Sequence, residues 1–346
     1  MFLQNNRFIF IYLSLLFIAT TIIAIGFGAV SISPNEMYSA LKGVLAGNHS
    51  MGLKENVFLQ LRLPRVMLCA IGGATLALSG VLMQGVFRNP IVEPGLMGTS
   101  AGAALGASIV FVLSTNFSPE FKGTIGPLLT PMMAFIGALI ATFLVYVLSI
   151  KQKTVPVVSL LLVGMAVNAL CMSGTGFMSY IARDPQARSI TFWNLGTFNG
   201  ASWFQVMITA IILVSCLFFL IRYAKQLNAL MLGDEEALYL GVDTERFKKG
   251  MLILNTILVA VLTSFVGVVG FIGLIVPHIL RVTIGSDNKL LIPASAILGA
   301  IILIIADLIS RVLVAPAEIP IGVITSLVGA PVFILLLRRS VLIDKF

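Results

Sequence analysis

From Phe8 to Val30 the chain runs through about 23 residues without a charge, and it does so again from Pro156 to Phe177. An uncharged apolar run of about 20 residues matches a hydrocarbon core about 30 Å thick. A helix alone can cross that core in a single segment with every backbone hydrogen bond satisfied internally. The whole chain carries the same signature: of 346 residues, 58% are hydrophobic and only 10% charged, with a mean hydropathy of +1.06. A soluble domain carries about 25% charged residues, so this chain cannot coat a water-facing surface. It reads as an all-α polytopic membrane protein, and a soluble enzyme is excluded.

Ten apolar runs lie near 8–30, 66–86, 94–113, 125–149, 156–181, 202–221, 250–269, 271–284, 291–314 and 320–337. They form one transmembrane domain spanning residues 1–346. Arg7 ahead of the first run imitates a signal peptide, but the run exceeds the roughly 7–15 residues of a signal core and is read as the first membrane helix. The eighth run is short and broken by Pro277. Interrupted segments of this kind lie against protein or a water-filled cavity, where freed backbone groups find partners.

The net charge of +8 would suggest a nucleic-acid partner in a soluble chain. Here it reads as loop asymmetry. With the N-terminus inside, 14 of the 22 basic residues fall on inner connections and eight on outer ones, which places both termini in the cytoplasm. Cys69, Cys171 and Cys216 each sit in an apolar run, odd in number and without Cys-x-x-Cys spacing, so buried thiols are expected rather than a disulfide framework or metal site.

Two connections carry structure of their own. In the outer stretch 31–65, Ser33-Pro34-Asn35-Glu36 has capping-box spacing, and Met37, Ala40, Leu41, Val44 and Leu45 recur at helical intervals before Gly47. This predicts a short amphipathic helix packed on the outer surface. In the inner stretch 222–249, Gly233 separates the apolar turn 228–232 from Asp234, Glu235 and Glu236, three carboxylates placed where a helix N-terminus favours them. Ala237, Leu238 and Leu240 follow, and Gly241 suits a C-terminal cap. Two short helices joined at a glycine make either a docking element or a solvated connector; exposed leucines at 230, 232, 238 and 240 would be costly without a partner.

Several chemistries lack their residues. The sequence contains no Gly-Lys dipeptide, hence no phosphate cradle of the usual form, and ATP hydrolysis by this chain alone is not expected. His49 and His278 are the only histidines. Asp307 is the clear ionisable candidate within a span, with Arg311 four residues on, in the orientation that favours a local ion pair. A structural pair and an ion-coupling carboxylate both remain open. Glycine is abundant, with Gly102-x-x-x-Gly106 and Gly267, Gly270 and Gly273 pointing to tight helix packing.

Four stretches, in order, carry a family likeness: Leu61-Arg62-Leu63-Pro64-Arg65; Ser79 to Gln84 continuing through Arg88-Asn89-Pro90-Ile91-Val92-Glu93-Pro94 to Gly98; Gly270 to His278; and Glu318-Ile319-Pro320-Ile321-Gly322 with Gly329-Ala330-Pro331. Over about residues 30–339 the chain resembles the FecCD-type permeases of ABC importers, the family of the vitamin B12 permease BtuC. The resemblance implies a BtuC-like bundle of ten helices per protomer, a homodimer with the translocation path between its copies, and a bacterial cell (inner) membrane. It further implies two ATP-binding subunits that hold the ATP and magnesium, no cofactor or metal and no catalytic residue in this chain, and an extracytoplasmic binding protein delivering an iron–siderophore complex, haem or cobalamin.

By the same resemblance, Leu230, Leu232, Gly233, Asp234, Glu235, Glu236, Ala237, Leu240 and Gly241 would couple to the ATPase. Arg62, Arg65 and Arg311 would meet carboxylates of the binding protein. Arginine suits that role because its charge is permanent and its fork matches a carboxylate, although Arg62 and Arg65 could equally anchor at the membrane interface. Asn89, Ile91, Val157 and Val158 would form the inner gate, the last two apolar where the B12 permease has small hydroxyl residues. A secondary transporter working through Asp307 and a membrane scaffold recruiting a soluble partner are the rival readings.

Overall fold

The computed structural model describes residues 2–28, 32–45, 52–114, 126–150 and 156–343, and among these every regular element is helical. Seven helices are long and apolar enough to cross a bilayer; the shorter apolar helices Thr99–Leu113, Ile272–Ile284 and Ile321–Leu336 bring the set to the ten expected from the apolar runs. In chain order the spans are α1 (Phe2–Gly26), α3 (Leu63–Phe87), α4 (Thr99–Leu113), α5 (Gly126–Ser149), α6 (Val157–Ile181), α8 (Trp203–Arg222), α11 (Thr244–Val266), α12 (Ile272–Ile284), α13 (Asn288–Val312) and α14 (Ile321–Ile343). Between them lie α2 (Pro34–Leu45), α7 (Gln186–Asn194), α9 (Ala224–Leu232) and α10 (Asp234–Tyr239).

Helix α3 is the axis of the molecule. Its most apolar window is 83% buried, against 17% for α1, and α1, α8, α11, α12 and α13 pack around it. Glycines make that possible: a Cβ on Gly73 would overlap the Gly299 carbonyl of α13, and one on Gly80 the Gly273 carbonyl of α12. In lipid, where tails are as apolar as side chains, such close approach is a main source of association. A second group, α4, α5 and α6, joins the first through α11. Its tightest seam is the expected one, since Gly102 and Gly106 of α4 lie directly on the backbone of Gly137 and Met133 of α5.

Several expectations need their boundaries redrawn. Residues 94–97 form a separate 3-10 turn rather than the start of the third span. Helix α11 begins at Thr244, capped by the Asp243 side chain on the Arg246 amide, so residues 244–249 belong to a span and not to the connection before it. Helix α7 was not anticipated, because its nine residues carry no apolar periodicity long enough to register. The capping box of α2 is present in both directions: Ser33 N–H donates to the Glu36 carboxylate and Glu36 N–H to the Ser33 hydroxyl. Ala40 is buried and Met37 packs on Gly26, so α2 lies against the bundle; Gly47 falls outside the described residues.

The interruption between α11 and α12 shapes the interior. Gly267 (φ +77°) ends α11 where a Cβ would strike the Trp193 carbonyl, and Phe271 takes φ +68°, a left-handed conformation rare outside glycine and asparagine. Helix α12 has 13 residues, a length of about 20 Å, too short to cross the hydrocarbon core.

Candidate functional site

Three regions concentrate polar groups. The first is the end of the bundle where α3 begins and α13 finishes. Helix α1 stops at Gly26, where the last carbonyls run out of helical donors; Ile32 N–H serves Gly26 O at 3.2 Å. Two arginines from elsewhere supply donors: Arg62 Nη1 to Ile25 O at 2.9 Å, and Arg311 to Ala24 O at 3.1 Å and Phe27 O at 3.3 Å. Cations at a helix C-terminus are also favoured by its dipole. Asp307 links the set, with Arg65 Nε on one carboxylate oxygen and Arg311 Nε on the other, both at 2.9 Å. Arg65 then grips Glu318 through both terminal nitrogens at 2.8 and 3.0 Å.

The pair expected four residues apart on α13 therefore exists, but inside a four-residue ionic network of Asp307, Arg65, Arg311 and Glu318. Arg62 and Arg311 are each only 8% exposed. The three arginines expected to face a partner tie α1, α13 and the start of α3 together. The Arg65–Glu318 contact is the most exposed part, at the rim of a recess of about 310 Å³ that Arg62, Arg311, Asn199 and Pro316 also line.

The second region is a cavity of about 700 Å³ against the α11–α12 interruption, walled by Glu93, Leu96, Met165, Asn168, Met172 and Val268. Asn168 of α6 donates to the carbonyls of Gly95 and Leu96 at 3.2 and 3.3 Å, and holds the 94–97 turn across Gly164. Glu93 accepts the Phe271 amide at 3.1 Å and so caps α12 from a distant part of the sequence. An apolar wall with a few converging polar groups is the usual character of a ligand site. None of these residues stood among the sequence candidates. The signal available was Glu93 itself, an acid set between Pro90 and Pro94 at the entry to a membrane helix. Gly98-Thr99-Ser100-Ala101-Gly102 has the spacing of a nucleophile elbow, but it follows a 3-10 turn in a helical protein and, among the described residues, no histidine lines the cavity with Ser100.

The third region, at the opposite end of α3, is the helix pair α9–α10. Gly233 joins them at φ +151° and ψ +160°, a backbone region essentially confined to glycine. Gly241 (φ +81°) closes α10 as expected, with Gly241 N–H on Leu238 O and Val242 N–H on Ala237 O, the paired bonds of a Schellman cap. Leu230 is fully buried, contrary to expectation; with Leu227, which presses on Gly85 of α3, it seats α9 on the bundle. Leu232, Leu238, Tyr239 and Leu240 are exposed. Asp234 fixes the start of α10 through Lys248 at 2.8 Å and Arg88 at 3.3 Å. Ala237 is buried, and Glu235 and Glu236 complete the first turn.

At the same end, Arg88 takes a left-handed conformation (φ +53°) and Asn89 accepts the Ile91 amide in the turn that follows. Ile91 and Val158 are exposed, while Val157 is half-buried. The three cysteines are buried, as their positions implied.

Comparison with known proteins matches residues 16–339 to the FecCD transport family. The chain is 40% identical over 333 residues to the hemin transport system permease HmuU of Yersinia pestis, covering 95% of each. It is 40% identical over 278 residues to the cobalamin import permease BtuC of Halobacterium salinarum, covering 80% of this chain and 72% of that one. Among solved structures, an ABC transporter of the metal-chelate type in an inward-facing conformation superposes with a TM-score of 0.83 at 30% identity, covering 96% of this chain and 99% of the other. A ten-helix bundle, an interrupted eighth span and these likenesses along its whole length all agree: the chain is a multi-pass membrane permease and belongs to the FecCD transport family.

Proposed function

We propose that this chain is the membrane subunit of a binding-protein-dependent ABC importer for a metal chelate, with haem the first substrate to test and cobalamin or an iron–siderophore complex next. The observation that carries the reading is the cavity of about 700 Å³ at the helix interruption, a volume suited to a compact ligand, in a chain that has no phosphate cradle but displays an apolar helix pair at one end. Energy would come from two ATPase subunits holding ATP and magnesium, seated on Leu232, Leu238 and Leu240. The path would run between two copies of the chain, with Asn89, Ile91, Val157 and Val158 as its inner gate. The lysine and arginine distribution supports an inner-membrane orientation with both termini cytoplasmic. Binding-protein docking is assigned to the rim formed by Arg65 and Glu318, with Arg62 and Arg311 holding that rim in place from below.

A carrier working through Asp307 is disfavoured by the geometry. Both carboxylate oxygens are already engaged by arginines, one by Arg65 and the other by Arg311, each at 2.9 Å. Proteoliposomes containing the chain, its ATPase and its binding protein should accumulate haem only with ATP inside the compartment matching the cytoplasm. Uptake that persists without ATP and collapses with an ionophore would overturn the importer reading in favour of the carrier.

A further inference from the structure

Pro277 lies within α12. Having no N–H, it leaves the carbonyl four residues earlier, that of Gly273, without its helical donor. In a membrane interior an unsatisfied carbonyl must find another donor. Gln84 of α3 provides it: its Nε2 lies 3.4 Å from Gly273 O and 3.1 Å from Leu274 O. The same amide accepts through Oε1 from Arg281 Nε at 3.4 Å. Gln84 is only 2% exposed, so every one of these contacts is internal.

Arg281 lies at the far end of α12. Its Nη1 points to the Met231 sulfur of α9 at 3.6 Å, and the Asn288 amide of α13 reaches the same sulfur at 3.3 Å. Arg281 Nη2 is buried and has no partner among the described residues. A guanidinium served only by an amide oxygen and a thioether, both weaker acceptors than a carboxylate, is under-satisfied, so its position is sensitive to where α9 sits. At the other end, the Gly273 backbone abuts Pro94, and Phe271 N–H is bonded to Glu93 in the cavity wall.

We propose that Gln84 and Arg281 are positioning residues that form a relay from the α9–α10 helix pair, through the first-turn carbonyls of α12, one of them freed by Pro277, to the wall of the cavity at Phe271 and Glu93. When α9 moves, Met231 releases or draws Arg281. Gln84 follows, and the first turn of α12 shifts against Pro94 and Glu93. The relay rests on the transport reading for its purpose, while its existence is a property of this chain alone.

Hydrogen–deuterium exchange of the full chain in nanodiscs tests it directly. Arg281→Leu, made at the helix-pair end, should speed exchange of the peptide 268–275 by about tenfold, as Gln84→Leu should, and the double variant should add little because the two residues share one network. Arg281→Lys, which keeps the charge but loses the Nε fork, should act in the same direction and guards against a misfolded leucine variant. Exchange at 268–275 unchanged in both Arg281 variants, or singles that add in the double, would overturn the relay. In proteoliposomes with the ATPase and haem, Gln84→Glu keeps the acceptor for Arg281 but loses the donor to Gly273, and should raise ATP consumed per haem by about threefold or more. A lower melting temperature with an unchanged ratio would reduce Gln84 to a structural residue. No haem flux in the wild type would count against the transport reading, and the exchange experiment would still decide the relay.

Discussion

Asp307 is held at both carboxylate oxygens, by Arg65 and by Arg311, with side-chain exposures of 2%, 11% and 7%. Removing one partner of a buried ion pair leaves an uncompensated charge, at a cost of about 3–5 kcal/mol. Asp307→Asn should therefore lower the chemical-denaturation midpoint of the purified chain far more than Glu318→Gln, whose partner contact is at the rim and contributes no more than about 1 kcal/mol. Equal effects would mean that the network is not the buried unit described here. On the surface, Lys54 and the Ser33 amide hold the Glu36 carboxyl down from its ordinary 4.5 to about 2. Because the folded value is depressed, the contribution of Glu36 to holding α2 is complete above about pH 4.5 and fades as pH falls toward 2. Limited proteolysis near α2 should accelerate across that window in the wild type, and Glu36→Gln should flatten the dependence.

At the scale of elements, the helix pair depends on a single backbone conformation. Gly233 at φ +151° admits no ordinary side chain without strain of about 1–3 kcal/mol. Gly233→Ala should preserve the bundle, since α9 is anchored independently by Leu227 and Leu230, but should misaim α10. The expected outcome is normal yield with more ATP hydrolysed per substrate moved; an unchanged ratio would make the pair a passive connector. The sequence made the pair legible through its glycine, its acidic start and its capping Gly241. It did not show which leucines face outward, because Leu230 and Leu232 differ only in their angle around α9, and that angle is set by how α9 lands on Gly85.

Across the molecule, three regions divide the work: an ionic clasp at one end, a cavity beside an interrupted helix, and an exposed apolar helix pair at the other end. If the pair is a docking surface, Leu232→Asp with Leu240→Asp should abolish co-purification of the ATPase while leaving the chain's elution profile in mild detergent unchanged. Retained capture would place the ATPase elsewhere. Both substitutions are at exposed positions, so loss of folding is not the expected route to loss of capture.

The sequence by itself determined the class and the number of spans, because hydrocarbon thickness and backbone hydrogen bonding leave a chain this apolar almost no alternative to helices of a given length. It also determined the caps and breaks, which are local chemistry: the Ser33–Glu36 box, Gly241, Pro277. Only the tertiary structure decided where the charged residues sit and what they contact. Arg62, Arg65 and Arg311 look alike as exposed arginines in sequence, yet α1 ends beside two of them and its last carbonyls draw them inward. Glu93, Gln84 and Arg281 come from different helices, and nothing in their spacing relates them. Their connection exists because Gly80 lets α12 lie against α3, and because a proline on one helix leaves a carbonyl that a glutamine on the other is placed to satisfy.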